Sequence, residues 1–255
     1  MMKVNVIMFS PAGGTAKTAE KLASALGTLT GAVDIAEPDV FYGGIKADPE
    51  AIAIVAMPCY GGRVPKIAAE RFRQVDGSGA KTVLLCVYGN RAYEDTLVEM
   101  EDLAKERNFD VIAGIAAIAQ HSIVNEFGAG RPDSSDTAKL QEFAKKILAK
   151  IEAGDTKKPV LPGKRPYKKA MGRPGLVPHA TKGCLYCGVC AKKCPVQAID
   201  IDKIFGASRR KCISCMRCVA NCSTDVRKLN ALELKIVETK IKKEASSRKE
   251  PELFL

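Results

Sequence analysis

Residues 3–29 read KVNVIMFSPAGGTAKTAEKLASALGTL: an apolar run through Val4, Val6, Ile7, Met8 and Phe9, a turn at Ser10-Pro11-Ala12-Gly13-Gly14-Thr15, then a helical pattern from Thr18 to Leu29. The change of period across a glycine turn marks the start of a strand-helix alternation. It recurs as Ala51 to Met57 then Pro65 to Arg73, Thr82 to Tyr88 then Tyr93 to Arg107, and Val111 to Ile118 then Thr137 to Ile151. With a brief strand near Val33-Asp34-Ile35, residues 1–152 are expected to form an α/β unit, a doubly wound parallel sheet of five strands. Its strands read as nearly continuous apolar runs, which suits burial between two helix layers.

The chain has 255 residues, more than one such unit needs. Eight of its ten cysteines fall in two runs, Cys184-x2-Cys187-x2-Cys190-x3-Cys194 and Cys212-x2-Cys215-x2-Cys218-x3-Cys222. A tight loop with two residues between cysteines aims three thiolates inward while a distant segment supplies the fourth, which is what a [4Fe-4S] cubane requires. The expected assignment is crossed: Cys184, Cys187 and Cys190 with Cys222, and Cys212, Cys215 and Cys218 with Cys194. Structural zinc and a disulfide framework are the alternatives. Zinc sites usually pair two CxxC knuckles, so the third and fourth cysteine of each run argue against zinc. Disulfides are opposed by a reducing cytosol, the compartment expected where no signal peptide is read.

The two runs sit in a near-repeat, TKGCLYCGVCAKKCPVQAI against SRRKCISCMRCVANCSTDV, with Pro195 after Cys194 and Ser223 at the matching place. Over about Thr181 to Val226 this resembles the bacterial-type two-cluster ferredoxins, which implies a small α+β domain at 181–228. Each repeat is expected to give a cysteine loop and a short helical turn. Ile199, Ile201, Ile204 and Val219 are candidates for packing around the clusters, and Gly183 and Gly188 for close backbone approach.

In a doubly wound sheet the ligand lies beyond the carboxyl ends of the strands. There Ser10 to Thr15 joins strand to helix and offers hydroxyls and amides to a phosphate, with a plain sharp turn as the alternative. It is neither a Walker A loop nor a GxGxxG fingerprint. Two further loops follow the third and fourth strands: Pro58-Cys59-Tyr60-Gly61-Gly62-Arg63 and Tyr88-Gly89-Asn90-Arg91-Ala92-Tyr93. On these three loops, residues 3–150 resemble a flavodoxin. The whole chain is more closely similar to flavodoxin-ferredoxin fusion proteins of anaerobes, through VYGNRAYEDTLVEMEDLAKERNFDVIAG and the AAIAQHSI stretch after it.

That resemblance implies strand order 2-1-3-4-5 and FMN as cofactor. It assigns Ser10, Ala12, Gly13, Gly14 and Thr15 to the phosphate, Tyr60 and Tyr93 to the flavin faces, and Gly61, Gly62, Gly89 and Asn90 to the ring edge. Ala12 and Gly14 replace the usual threonine and asparagine, so the backbone amides of Ala12 to Thr15 carry most of the binding and the implied affinity is modest. Arg63 and Arg91 are candidates to steer an anionic partner or oppose a reduced flavin, with solvated surface arginines as the alternative. Cys59 and Cys86 are read as small buried hydrophobes, His121 as a structural hydrogen-bonding group near the site, and His179 as a linker residue.

Residues 153–180 are rich in Lys, Pro and Gly without a sustained period, and are expected as an extended surface linker. In the C-terminal stretch 229–255, alternating Leu232, Leu234 and Ile236 predict a strand before a helical tail. Residues 1–150 carry 17 Lys and Arg against 19 Asp and Glu, and residues 151–255 carry 23 against 10. The basic half holds the cysteine runs. Part of its excess offsets anionic clusters, and the rest suits an acidic redox protein such as a ferredoxin or a reductase. Scattered Lys and Arg with little aromatic interleaving argue against nucleic acid, and no apolar stretch is long enough for membrane insertion. The expected function is electron transfer between FMN and two [4Fe-4S] clusters, coupling two-electron and one-electron steps. The alternative is a ferredoxin-dependent flavin reductase acting on a small-molecule electron acceptor. A homodimer is a weaker expectation.

Overall fold

The computed structural model describes residues 2–40, 42–170, 172 and 175–255, with Tyr42 by its backbone alone. Met171, Arg173 and Pro174 of the expected linker lie outside the described residues, as do Met1 and Phe41 of the expected first unit. The N-terminal alternation runs β1 (Lys3–Met8), α1 (Gly14–Leu26), β2 (Thr28–Asp34), β3 (Ile52–Pro58), α2 (Lys66–Phe72), β4 (Lys81–Tyr88), α3 (Thr96–Glu106), β5 (Asp110–Ile118) and α4 (Ser134–Glu152). Then follow β6 (His179–Ala180), α5 (Val189–Lys192), α6 (Arg217–Ala220), β7 (Arg227–Lys228), α7 (Ala231–Ala245) and β8 (Glu252–Phe254).

The main sheet is mostly parallel and has six strands, in the order β2-β1-β3-β4-β5-β8. Alternate residues of the central strands feed two cores. Val55, Met57, Leu84 and Cys86 meet α2 and α3 through Phe72, Leu97 and Met100. Ile54, Ala56, Val83 and Leu85 meet α1 and α4 through Leu22, Leu26, Phe143 and Ile147. Period-2 alternation in the strands and two helices on each face are what make the sheet doubly wound.

Three expectations are corrected. The first helix begins at Gly14 and ends at Leu26, because the chain turns at Gly27 into β2, which starts at Thr28 rather than near Val33. The sheet has a sixth strand: β8 pairs antiparallel with β5 through Gly114↔Phe254, Ile115↔Leu253 and Ala116↔Glu252. The stretch with alternating Leu232, Leu234 and Ile236 is helical, capped by the Asn230 side chain, which accepts from Leu232 N at 2.8 Å. Leu234, Val237 and Ile241 are spaced for one helix face and pack against Val124, Phe127 and Ala245.

Residues 179–228 carry β6 and β7, paired antiparallel, and one helical turn after each cysteine loop. Both turns start from a left-handed residue, Gly188 (φ 74°) and Met216 (φ 59°), so the two repeats share a backbone path. Ile199 and Ile204 are buried, but Ile201 is exposed. The linker stretch lies against the sheet unit: Leu161 is in the core, and Asp95 accepts from Lys164 N at 2.9 Å and Lys168 N at 2.7 Å. Among the described residues no helix is long and apolar enough to cross a membrane.

Candidate functional site

A cavity of about 990 Å3 opens at the carboxyl end of the sheet. Its floor is the loop after β1, where Gly13, at φ 87°, takes a conformation that a side chain would strain and precedes the first turn of α1. Ser10 Oγ accepts from Ala16 N at 2.8 Å, and the amides of Gly14 and Thr15 lie in the turn that every helix leaves without intrahelical acceptors. Pro11, Ala12, Gly13, Gly14 and Thr15 line the cavity, as does Lys17. Ser10 does not. Its hydroxyl accepts from the helix, its N–H donates to Asp34 Oδ1 at 2.9 Å and its carbonyl accepts from Arg217.

The second and third loops form the walls. Tyr60, Gly61 and Gly89 line the cavity together with Cys59 and Arg91. Gly62, Asn90 and Tyr93, also expected at the ring, are not among the residues lining the cavity and make other contacts. Gly62 N donates to Cys59 Sγ at 3.2 Å, and Glu94 fills the space where a Gly62 side chain would stand. Asn90 Nδ2 donates to Ala245 O at 2.6 Å and Ser247 O at 2.9 Å. Tyr93 packs edge-on against Tyr88 at 5.2 Å, and its hydroxyl donates to Glu252 at 3.1 Å. These residues fasten the C-terminal stretch to the sheet unit. Arg63 likewise pairs with Glu99 at 2.7 Å and stacks on Tyr167, so it serves the packing of the linker.

Burial, then the charge of Arg91, push the His121 imidazole down to about 4. It is neutral at pH 7, and its Nδ1 accepts from Ile123 N at 3.2 Å and Val124 N at 3.0 Å. Nε2 is left to carry the proton, on a residue lining the cavity. The His121 ring also explains Gly89: a Cβ there would stand 2.5 Å from His121 Cδ2. Cys86 is fully buried in the core, and burial pushes its thiol well up. Cys59 is only partly buried; its thiol donates to Ala92 O at 3.4 Å.

Sequence reading missed the roof of the cavity. Val237, Lys240, Ile241 and Glu244 of α7 line it, and Arg91 bridges Glu244 at 3.0 Å and Glu94 at 3.1 Å. Lys168 and Lys169 line it from the linker, and Ile213, Ser214 and Met216 from the second cysteine loop. A run of Leu, Ile and Val among Lys and Glu from 231 to 245 signals an amphipathic helix, and the i, i+3, i+7 spacing of Leu234, Val237 and Ile241 was the available clue.

The eight clustered cysteines fall into two sets. Cys184, Cys187, Cys190 and Cys222 line one small cavity, together with Leu185, Val189, Ile204 and Val226. Cys194, Cys212, Cys215 and Cys218 stand together: burial pushes the Cys215 thiol up to about 12 and that of Cys218 to about 11, and repulsion from the other thiols of the set adds to both. Each set takes three cysteines from one run and the last cysteine of the other. Among the described residues no three His, Cys, Asp or Glu side chains converge as ligands of one metal ion. A cubane asks for a wider arrangement, because each thiolate holds a different iron. The second set is the inner one. Its loop borders the large cavity, and the Tyr60 phenol, raised well above its ordinary value by burial, is raised further by Cys215.

Arg217 joins the inner set to the sheet unit. Its side chain is buried, with Nη1 donating to Asp34 Oδ2 at 3.3 Å and Ser10 O at 3.4 Å, and Nη2 donating to Glu37. Arg71 donates to Pro195 O across the same junction.

No family model matches the chain, and no curated protein matches it. Solved structures are similar over the sheet unit. Rubredoxin oxygen:oxidoreductase of Desulfovibrio gigas is 15% identical, over 59% of this chain and 36% of that one, with a TM-score of 0.42. The flavodoxin of Streptococcus pneumoniae TIGR4 is 17% identical, over 58% of this chain and 99% of that one, with a TM-score of 0.40. An oxidoreductase of Corynebacterium diphtheriae is 17% identical, over 61% of this chain and 98% of that one, with a TM-score of 0.45. Likeness at this level carries no chemistry; that lies in the residues of this chain.

Proposed function

We propose that the protein carries electrons between an FMN in the large cavity and two [4Fe-4S] clusters held by the crossed cysteine sets, in the manner of a flavodoxin-like unit fused to a ferredoxin-like one. The observation that carries this reading is that the inner cysteine loop, through Ile213, Ser214 and Met216, is itself a wall of the cavity. A ligand there and a cluster on Cys194, Cys212, Cys215 and Cys218 would be neighbours, with the set of Cys184, Cys187, Cys190 and Cys222 next in line. When bound, FMN exchanges one or two electrons and each cluster one at a time.

The protein's own groups suit these ligands. The amides of Gly14 and Thr15 and the Lys17 ammonium meet a phosphate at the N-terminus of α1. Tyr60 offers an aromatic face, and Gly61 and Gly89 allow close backbone approach. Neutral His121 and cationic Arg91 bring a hydrogen-bond donor and a positive charge to the same cavity. The closed α7 roof favours a second reading, reduction of a small acceptor inside the cavity, because it limits the access that a protein partner needs to the ring. In the carrier reading, an acidic redox protein exchanges electrons with the basic half of the chain.

The deciding experiment is anaerobic purification with iron and flavin assays, followed by absorption and EPR spectra during stepwise reduction. The proposal expects about eight irons and one FMN per chain. Iron without flavin would remove the cavity assignment, and flavin without iron the cysteine assignment.

A further inference from the structure

We propose that Arg227 is the counter-charge of the outer cysteine set, Cys184, Cys187, Cys190 and Cys222, the group that sets how readily a cluster held there accepts an electron. This rests on the proposed pair of clusters. Arg227 is only 1% exposed, yet among the described residues no carboxylate meets its guanidinium. Arg131 and Arg217, also buried, face Asp136 and the Asp34–Glu37 pair. Arg227 has three carbonyls instead: Nη1 donates to Ile204 O at 2.7 Å, and Nη2 to Pro178 O at 3.1 Å and Gly206 O at 2.9 Å. Its Nε is buried without any partner.

Burying a cation with only partial charges around it is unfavourable, and such groups are retained beside an opposite charge. The nearest candidates are thiols. Nη1 lies 3.7 Å from Cys190 Sγ, and Arg227 lines the small cavity formed by Cys184, Cys187, Cys190 and Cys222. An oxidised cubane with four thiolates carries about two negative charges and gains one more on reduction, so a cluster held by this set supplies the missing counter-charge.

A fixed positive charge stabilises the more negative, reduced form of a cluster and so raises its potential. The guanidinium contact is with the outer set, so a cluster held there would be the one raised.

The test compares the full-length protein with Arg227→Lys and Arg227→Gln, all purified without oxygen, by iron content and by EPR-monitored potentiometric titration. Arg227→Gln is expected to lower the potential of the outer cluster by at least about tenfold in its reduction equilibrium, about 59 mV for a one-electron couple. Arg227→Lys, which keeps the charge, is expected to stay near the parent. If Arg227→Gln loses its iron while Arg227→Lys keeps it, the requirement for positive charge is still met. Loss of iron in both variants would make Arg227 a structural fork for three carbonyls and overturn the proposal. So would full iron with unchanged potentials in Arg227→Gln. A parent protein without iron overturns the cluster reading itself, and the charge role with it.

Discussion

Gly89 and His121 depend on each other, and both give measurable consequences. In Gly89→Ala the new Cβ falls 2.5 Å from His121 Cδ2, against a ring held by two backbone amides. Overpacking of this kind costs about 1–3 kcal/mol; the variant is expected to stay folded and bind flavin more weakly, as read from flavin content after gel filtration. The imidazole also sets a pH dependence. Its value in the folded protein, about 4, lies below the ordinary 6.5, so the folded state prefers the neutral form. Its contribution to stability is therefore complete well above pH 6.5 and is lost as pH falls toward 4, about 2–3 kcal/mol between pH 7.5 and 4.5. Urea unfolding at those two pH values should show a loss larger by roughly that amount in the parent than in His121→Asn.

At the same scale, the spacing of the cysteines is what suggests the crossed grouping, with Cys184, Cys187, Cys190 and Cys222 lining one small cavity. Of the residues expected at the large cavity, Ala12 to Thr15, Tyr60, Gly61 and Gly89 line it. Asn90 and Tyr93 sit in the right loop and point the other way, toward a segment more than 150 residues later in the chain. A loop sequence carries no record of a partner that only the tertiary fold delivers.

Among the elements, β1, β3, β4, β5 and α1 to α4 were readable from period and composition, since each buries apolar residues, whereas β2 is exposed over its first five residues and was read only near its end. The two at the end of the chain were not readable. α7 shows alternation over Leu232, Leu234 and Ile236 that imitates a strand, but Leu232 and Ile236 are exposed, and it is the helical spacing of Leu234, Val237 and Ile241 that is partly buried. β8 has three residues and no pattern of its own; it exists because β5 offers an open edge. Asn90 is the clasp for both. Asn90→Ala leaves the carbonyls of Ala245 and Ser247 without their donor, at a cost of about 1–3 kcal/mol. Hydrogen exchange should show loss of protection at 246–254 while β3 and β4 stay protected.

For the molecule as a whole, the joint at Arg217 decides whether the cysteine segment and the sheet act as one body. Removing one partner from a buried charge cluster typically costs about 3–5 kcal/mol, because the remaining charges lose their counter-charge; here Glu37 would keep Lys193 and Asp34 would lose its cation. Arg217→Ala is expected to split a single thermal transition into two, seen by calorimetry alongside loss of the cluster absorption. Electron exchange with an acidic protein should slow as salt is raised from 0.05 to about 0.5 M, since screening shortens to a few ångströms over that range. A rate independent of salt would count against a basic docking face.

The pairing of β8 with β5 changes what kind of object the cysteine segment is. It is an insertion rather than a pendant: the chain leaves the sheet unit after α4, passes through both cysteine loops, and returns through α7 to finish the same sheet it left. A body moored at one end swings on its tether, whereas one moored at both ends and pinned at Arg217 keeps its bearing. Such a mooring opposes long-range shuttling by that segment, and in the proposed carrier role a partner protein would have to make the journey itself.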